Sequence, residues 1–276
     1  MNIVILANSS WYLSNFRSST IVALNGLADV VCMYPFGAGG AEESNRFSCS
    51  IERFYLVASS RNPFKELLAL ISIFHKLLKT RPDLVFSFNP KTNLYTLIAC
   101  WFLRIPCVPN VSGAGMASQL SGVTGRLYHS LVRFFYRRAF HVFFQNTDDM
   151  KSFVESGFVD ERRAEVLPGS GVDLDRFHPV SHRKGTLRFL MAARLIAPKG
   201  VGEYLEAARR VIKSGGNCEF LLAGVEDDSF RAVSKSLIAG LKEEKKIHFL
   251  GHVEDMPKLL DTVDCVVLPS YYPAGV

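Results

Sequence analysis

A chain of 276 residues, 48% hydrophobic and 21% charged, is too long for one ordinary core and suits two domains, which excludes a disordered polymer. A net charge of +6 favours anionic partners, yet no nucleic-acid motif accompanies it, so nucleic acid is not an expected partner. Cys32, Cys49, Cys100, Cys107, Cys218 and Cys265 form no Cys-x-x-Cys pair and the histidines lack ligand spacing, which excludes a metal or disulfide framework.

Strand and helix signals alternate from the start. Apolar runs at 2–7, 30–34, 51–57, 83–88, 106–111, 140–145 and 164–167 read as strands, with helical stretches at 15–28, 63–80, 92–104, 123–138 and 148–156 between them. Asn62 before Pro63 is a helix start, because Asn caps and proline suits the first helical position. Such alternation implies crossover connections and a mostly parallel sheet covered on both faces. The longest apolar stretches, 67–78 and 95–103, fall short of the roughly 18 to 20 residues that cross a bilayer. The first ten residues lack the basic segment of a signal peptide, so the chain is expected in the cytoplasm.

Residues 126–144, RLYHSLVRFFYRRAFHVFF, interleave Arg126, Arg133, Arg137 and Arg138 with Leu127, Leu131, Phe134 and Phe135. Two readings stay open: a helix on an anionic membrane surface, or a core helix with its arginines in water. The texture turns polar and rich in Gly and Pro after Leu167, giving a first domain at 1–168, a linker at 169–186 and a second domain at 187–276. There the alternation restarts, with strands at 187–193, 218–223, 247–250 and 265–268 and helices at 201–214, 229–244 and 255–263.

The strand at 187–193 runs into Arg194, and Lys199 stands beside Gly200 at the start of the next helix. A helix N-terminus is already positive, so two cations there are mildly unfavourable unless an anion sits among them. The segment FLMAARLIAPKGVGEYLEAA therefore reads as a diphosphate site, against the plainer reading of solvated loop charges. No Gly-x-Gly-x-x-Gly follows the first strand, which disfavours a dinucleotide oxidoreductase.

SGVDLDRF (170–177), ARLIAPKGVGEYLEAA (193–208), FLLAG (220–224) and VVLPSYY (266–272) resemble bacterial family 4 glycosyltransferases. Upstream, SSWYLSNFR (9–17), FSFNPKTNLY (86–95) and PNVSGAG (109–115) are similar to members that build surface polysaccharides and lipid-linked oligosaccharides. The resemblance implies an α/β GT-B fold of two facing Rossmann-like, doubly wound domains. It further implies retaining transfer of a hexose or acetamido-hexose from a nucleotide-diphosphate sugar to a polyprenyl-diphosphate-linked saccharide, at the inner face of the cytoplasmic membrane and without a cofactor. Arg194 and Lys199 would neutralise the leaving diphosphate, with Gly200 and Gly224 lining the donor.

Ser10, Trp11, Tyr12, Asn15 and Arg17 after the first strand, Asn89, Lys91 and Thr92 after the fourth, and Ser112, Gly113 and Gly115 after the fifth would receive the acceptor, since ligands gather at the carboxyl ends of parallel strands. Family members continue past the SYY-type segment with a Glu-Gly-x-Pro stretch and a second Glu. Here SYYPAGV places Ala274 at the first Glu position, so the second domain is expected to be incomplete and turnover crippled. The rival expectation is a non-catalytic remnant that binds nucleotide or membrane.

Overall fold

The run Ile3, Val4, Ile5, Leu6 has no polar face, as a strand covered on both sides requires, and all four side chains are buried. They form β1 (Asn2–Leu6) at the heart of a seven-stranded sheet in a computed structural model. The structure describes the chain except residues 38–48, 58–59, 61, 114–121, 180–184, 227–231, 242–243 and 272–276. It divides into two compact units, Met1–Val172 and Asp173–Ala274.

In the first unit the other strands are β2 (Asp29–Pro35), β3 (Ser50–Phe54), β4 (Leu84–Phe88), β5 (Cys107–Val111), β6 (Val142–Phe144) and β7 (Ala164–Val166). Their order is β3-β2-β1-β4-β5-β6-β7, and every pairing is parallel. The helices are α1 (Ser10–Phe16), α2 (Ser18–Asn25), α3 (Pro63–Thr80), α4 (Pro90–Leu103), α5 (Gly122–Tyr136) and α6 (Thr147–Glu155). One face packs α3, α4 and α5 through Ala69, Ile73, Leu97, Cys100, Val132 and Phe135 onto Val4, Leu6 and Val85. The other face buries Ile3, Ile5, Val30, Cys32 and Phe88 with Leu13 and Ile21 of α1 and α2.

Asn62 caps α3, its Oδ1 accepting the Phe64 amide at 2.9 Å, with Pro63 in the first turn. Elsewhere helix starts shift. The helix expected over 15–28 is two helices, because Ser9 caps Ser10–Phe16 by accepting the Tyr12 amide at 3.1 Å, and the chain leaves helical geometry at Arg17 (φ −132°) before α2.

The second unit carries β8 (Leu187–Ala192), β9 (Cys218–Ala223), β10 (Ile247–Gly251) and β11 (Cys265–Val266) in the parallel order β10-β9-β8-β11. Its helices are α7 (Val201–Lys213), α8 (Lys235–Gly240) and α9 (Met256–Leu260). α8 is shorter than the expected 229–244, since Ser234 caps it there by accepting the Leu237 amide at 3.3 Å. The strand expected at 265–268 pairs in register with β8 at Cys265 and Val266, the Val267 amide still donates to the Leu190 carbonyl at 2.8 Å, and Leu268 is exposed.

Tyr204 of α7 is the hinge pin of this unit. It is 2% exposed, and its hydroxyl lies 3.0 Å from both the Phe189 and Leu221 carbonyls, reaching β8 and β9 together. Burial pushes its phenol well above the ordinary tyrosine range, so it stays a donor. Tyr204→Phe removes that donor without leaving a cavity and should cost about 1 kcal/mol, the net worth of one such bond. Urea denaturation read on the second unit measures it; an unchanged midpoint would mean that the hydroxyl is dispensable.

Candidate functional site

Both sheets reverse their winding at one place. In the first unit, connections run outward from β1 to β2 and β3 on one side, and from β4 to β7 on the other, so the switch point lies between β1 and β4. In the second, β8 stands between β9 and β11 in the same way. Loops leaving the two central strands diverge there and open a crevice at the carboxyl edge.

At the first switch point the loops after β1 and β4 are tied directly, the Asn8 amide donating to Asn89 Oδ1 at 3.2 Å. Asn89 sits at φ 72°, ψ 139°, a left-handed-side conformation rare for a residue with a Cβ, and its side chain serves Asn8 instead of capping α4. Such strain costs on the order of 1–3 kcal/mol and gathers where a ligand must be met.

Beneath this link lies Arg17. It is 4% exposed, stacks its guanidinium 4.5 Å from the Phe88 ring centroid and donates to Tyr12 Oη at 3.2 Å, while its buried Nε has no partner. No carboxylate pairs with it among the described residues. A buried cation without an acid is costly unless an anion completes it. Tyr12, packed against Phe16 and Phe88 at ring distances of 5.4 and 5.8 Å, therefore supports Arg17 and is no open platform. Trp11 is 48% exposed and presents its ring. Asn15 Nδ2 is spent on the Trp11 carbonyl at 2.9 Å, and Ser10 is fully buried.

Lys91 needs correction. Its Nζ donates to the Val57 and Ser60 carbonyls, both at 3.0 Å, and to Glu66 Oε1 at 2.9 Å, while Tyr95 donates to the other Glu66 oxygen. With three ammonium protons committed to the loop before α3 and to α3 itself, Lys91 clips helix to loop and offers nothing to an acceptor. Thr92 is likewise 0% exposed with an unpartnered Oγ1.

Asn93, which no sequence signal singled out, is 1% exposed, and its Nδ2 donates to the Asn110 carbonyl at 2.9 Å and so ties α4 to the end of β5. Ser87, Thr92, Asn93, Thr96 and Asn110 each bury a side-chain oxygen that has no protein partner. Polar groups in such numbers are ordinarily satisfied by ordered water. Ser112 and Gly113, at φ 98°, leave β5 at the same edge; Gly115 lies outside the described residues.

At the second switch point, Arg194 follows β8, and a 3-10 turn at Ala197–Lys199 leads into Gly200 at φ 79°. A Cβ on Gly200 would come within 2.3 Å of the Pro269 carbonyl oxygen, and one on Gly224 within 1.9 Å of the Ala193 carbonyl oxygen. Only glycine lets these loops pass so closely. The Tyr271 amide and Ser270 Oγ each donate to the Pro198 carbonyl at 3.3 Å, closing the stretch after β11 onto the turn after β8. α7 starts at Gly200 with no side-chain cap, so its first amides stay unclaimed by any side chain. The side chains of Arg194, which is exposed, and Lys199, which is half-buried, enter no ion pair among the described residues. Two cations without an ion pair among the described residues thus stand near a helix start that has no side-chain cap, where an anion would be favoured.

Residues 20–169 match the family described as Glycosyl transferase 4-like domain, and residues 186–276 match Glycosyl transferases group 1. The chain is 25% identical over 240 residues to the UDP-Gal:alpha-D-GlcNAc-diphosphoundecaprenol alpha-1,3-galactosyltransferase of Escherichia coli, covering 81% of this chain and 61% of that protein. It is also 25% identical over 296 residues to the N,N'-diacetylbacillosaminyl-diphospho-undecaprenol alpha-1,3-N-acetylgalactosaminyltransferase of Campylobacter jejuni, covering 100% of this chain and 77% of that protein. Among solved structures, Anabaena Alr3699/HepE in complex with UDP and glucose superposes with a TM-score of 0.74 at 17% identity, over 100% of this chain and 76% of that one. Sucrose-phosphate synthase from Thermosynechococcus elongatus gives a TM-score of 0.69 at 14% identity, over 99% and 77%. The fold is the α/β GT-B fold.

Lys91→Met should lower stability by roughly 1–3 kcal/mol, because it strands the Glu66 carboxylate and two carbonyls. Thermal melting of the variant tests this; a melting point equal to the parent's would return Lys91 to the acceptor.

Proposed function

The chain belongs to the glycosyl transferase 4-like family, and on that footing we propose that it moves a hexose or acetamido-hexose from a uridine-diphosphate sugar to a saccharide carried on a polyprenyl diphosphate. The observation that carries this reading is the pair of unpaired cations, Arg194 and Lys199, beside the uncapped start of α7. As the glycosidic bond breaks, negative charge grows on the departing diphosphate, and preorganised positive groups stabilise it without a metal or cofactor. Transfer with retention at the anomeric carbon accords with the family; no side chain in the described site has the placement of a general base. The Escherichia coli and Campylobacter jejuni relatives are both named for a diphosphoundecaprenol-linked sugar. Buried Arg17, with no acid paired to it among the described residues, suits the acceptor's own diphosphate, and exposed Trp11 suits stacking on a sugar face.

A lipid-linked acceptor brings the protein to the cytoplasmic face of a membrane, and the layer of α3, α4 and α5 is the surface that fits it. Its outward side exposes Phe64, Leu67, Leu68, Ile71 and Leu78 on α3 and Leu127 and Phe134 on α5, next to exposed Arg126, Arg133, Arg137 and Arg138. No described helix is long and apolar enough to cross a bilayer.

Calorimetric titration with UDP in the absence of divalent metal should give saturable binding, and Arg194→Ala should weaken it about tenfold or more, since one charge-assisted bond is worth roughly 1.5–3 kcal/mol. Equal binding by both proteins would remove the donor site from β8, and absence of transfer from UDP-galactose or UDP-N-acetylgalactosamine to a polyprenyl-diphosphate N-acetylglucosamine, with UDP binding intact, would favour the non-catalytic reading. For the membrane, neutralising Arg133, Arg137 and Arg138 to Gln should release the protein from phosphatidylglycerol vesicles, each cation being worth about 1 kcal/mol there. Equal co-sedimentation of variant and parent would assign these arginines to water alone.

A further inference from the structure

The residues proposed for the acceptor stand at the carboxyl edge of the first sheet, yet a sizeable concavity in this unit is at the other edge. An open cavity of about 850 Å³ lies at the amino end of β5, where α4 and α5 finish, with Leu97, Trp101, Ile105 and Phe135 among its apolar walls and Arg104, Arg138 and Arg163 on it. A second cavity of about 760 Å³ shares Arg138 and Arg163 and adds Arg133 and Arg137. β5 is five residues long, so at about 3.3 Å per residue the cavity is separated from the acceptor edge by roughly 15 Å of sheet.

Five guanidinium groups meet here, and no carboxylate lines either cavity. Part of that charge is explained by capping. Arg133 donates to the Ser156 carbonyl at 2.7 Å, Arg138 to Phe134 at 2.7 Å and Arg163 to Ala139 at 3.1 Å, each through one nitrogen. The ends of α4 and α5 together carry only about one negative charge, however, and each guanidinium has about five N–H donors. Arg138 also stacks 3.6 Å from the Phe134 ring centroid, and the remaining donors of these exposed arginines face solvent, where a ligand can reach them. Arg104 adds a backbone sign: it holds the left-handed position that ends α4 at φ 57°, a place glycine takes without strain.

Around this charge stand exposed rings: Trp101, Phe102, Phe134 and Phe140, at 44, 63, 39 and 66% exposure. Trp101 meets Phe102 and Phe134 edge to face, at centroid distances of 4.7 and 5.6 Å. Aromatic rings beside cations, over an apolar floor far larger than an inorganic anion fills, match an amphiphile with an anionic head and an apolar tail.

We propose that this cavity binds one anionic phospholipid, its phosphate among Arg104, Arg138 and Arg163 and its acyl chain along the floor formed by Leu97, Ile105 and Phe135. The site sharpens the membrane reading of α5, on which it rests, and is independent of the sugar-transfer reaction. It would hold the protein by a discrete lipid rather than by diffuse surface charge alone.

The chain has two tryptophans, Trp11 and Trp101, so a Trp11→Phe background leaves Trp101 as a reporter on the cavity wall. Titration with dihexanoyl phosphatidate below its micellar concentration should shift Trp101 emission saturably at one site. Arg104→Gln with Arg163→Gln, both outside α5, should weaken that binding about tenfold or more, and the matching Lys pair should keep most of it, with circular dichroism confirming that each variant is folded. Inorganic phosphate and dihexanoyl phosphatidylcholine should give no saturable shift over the same range. Absence of saturation, parity of the Gln pair with the parent, or phosphate binding as tightly as phosphatidate would each overturn the site. If vesicles still sediment the parent protein while the short-chain lipid fails to saturate, the site falls and the membrane reading stands; if vesicles fail as well, both fall.

Discussion

Parallel pairing on both sides of one central strand is the constraint from which the rest follows. β1 pairs with β2 and β4, and β8 pairs with β9 and β11. A parallel neighbour must be reached by a crossover, and right-handed crossovers on opposite sides of a central strand place helices on opposite faces. The backbone leaving the two inner strands then parts, and a gap opens at the carboxyl edge whatever side chains are present. Asn8, Asn89 and Arg17 in one unit, and Arg194, Gly200 and Gly224 in the other, occupy those gaps because topology leaves no secondary structure there to fill them.

Within the first gap, burial changes what each polar group can do. Arg17 and Lys91 are both cations near the same edge, yet Lys91 has Glu66 and two carbonyls while Arg17 has a phenol and an aromatic face. Attraction to a full negative charge outweighs attraction to a ring or a hydroxyl in a site shielded from water. Lys91 is therefore saturated by the protein, and Arg17 is left with capacity for an anion. The unpartnered oxygens of Thr92, Asn93 and Asn110 nearby say that the same region is built to hold water or ligand rather than to pack dry.

Positive charge is distributed in three roles over the molecule. Arg194 follows β8 and Lys199 ends the turn before α7, and neither enters an ion pair among the described residues. Arg17 is buried beneath the acceptor edge. Arg133, Arg138 and Arg163 sit where helices end, and each gives one hydrogen bond to a carbonyl, which explains their position but uses little of their charge. An excess of cations over acids in the whole chain is thus concentrated at edges of the sheets where phosphate-bearing partners would arrive.

Alternation of strand and helix was legible without coordinates because the central parallel strands, such as β1 and β9, are buried on both faces and so read as apolar runs of five or six residues. Asn62 and Pro63 marked a helix start for equally local reasons. Ser9, by contrast, begins a helix inside a segment that reads as loop, since serine caps as readily as it turns. Lys91 and Thr92 looked like ligand contacts from their nearness to a strand end, but a residue in the first turn of a helix can face its neighbours instead of the solvent. The sequence by itself determined the class of fold and the alternating order of its strands and helices, which depend on contacts between near neighbours in the chain. Tertiary structure alone decided which cation is saturated, that Arg17 lies buried with no acid beside it among the described residues, and that five arginines from two helix ends and a distant turn share one pair of cavities, because these depend on segments far apart in sequence meeting in space.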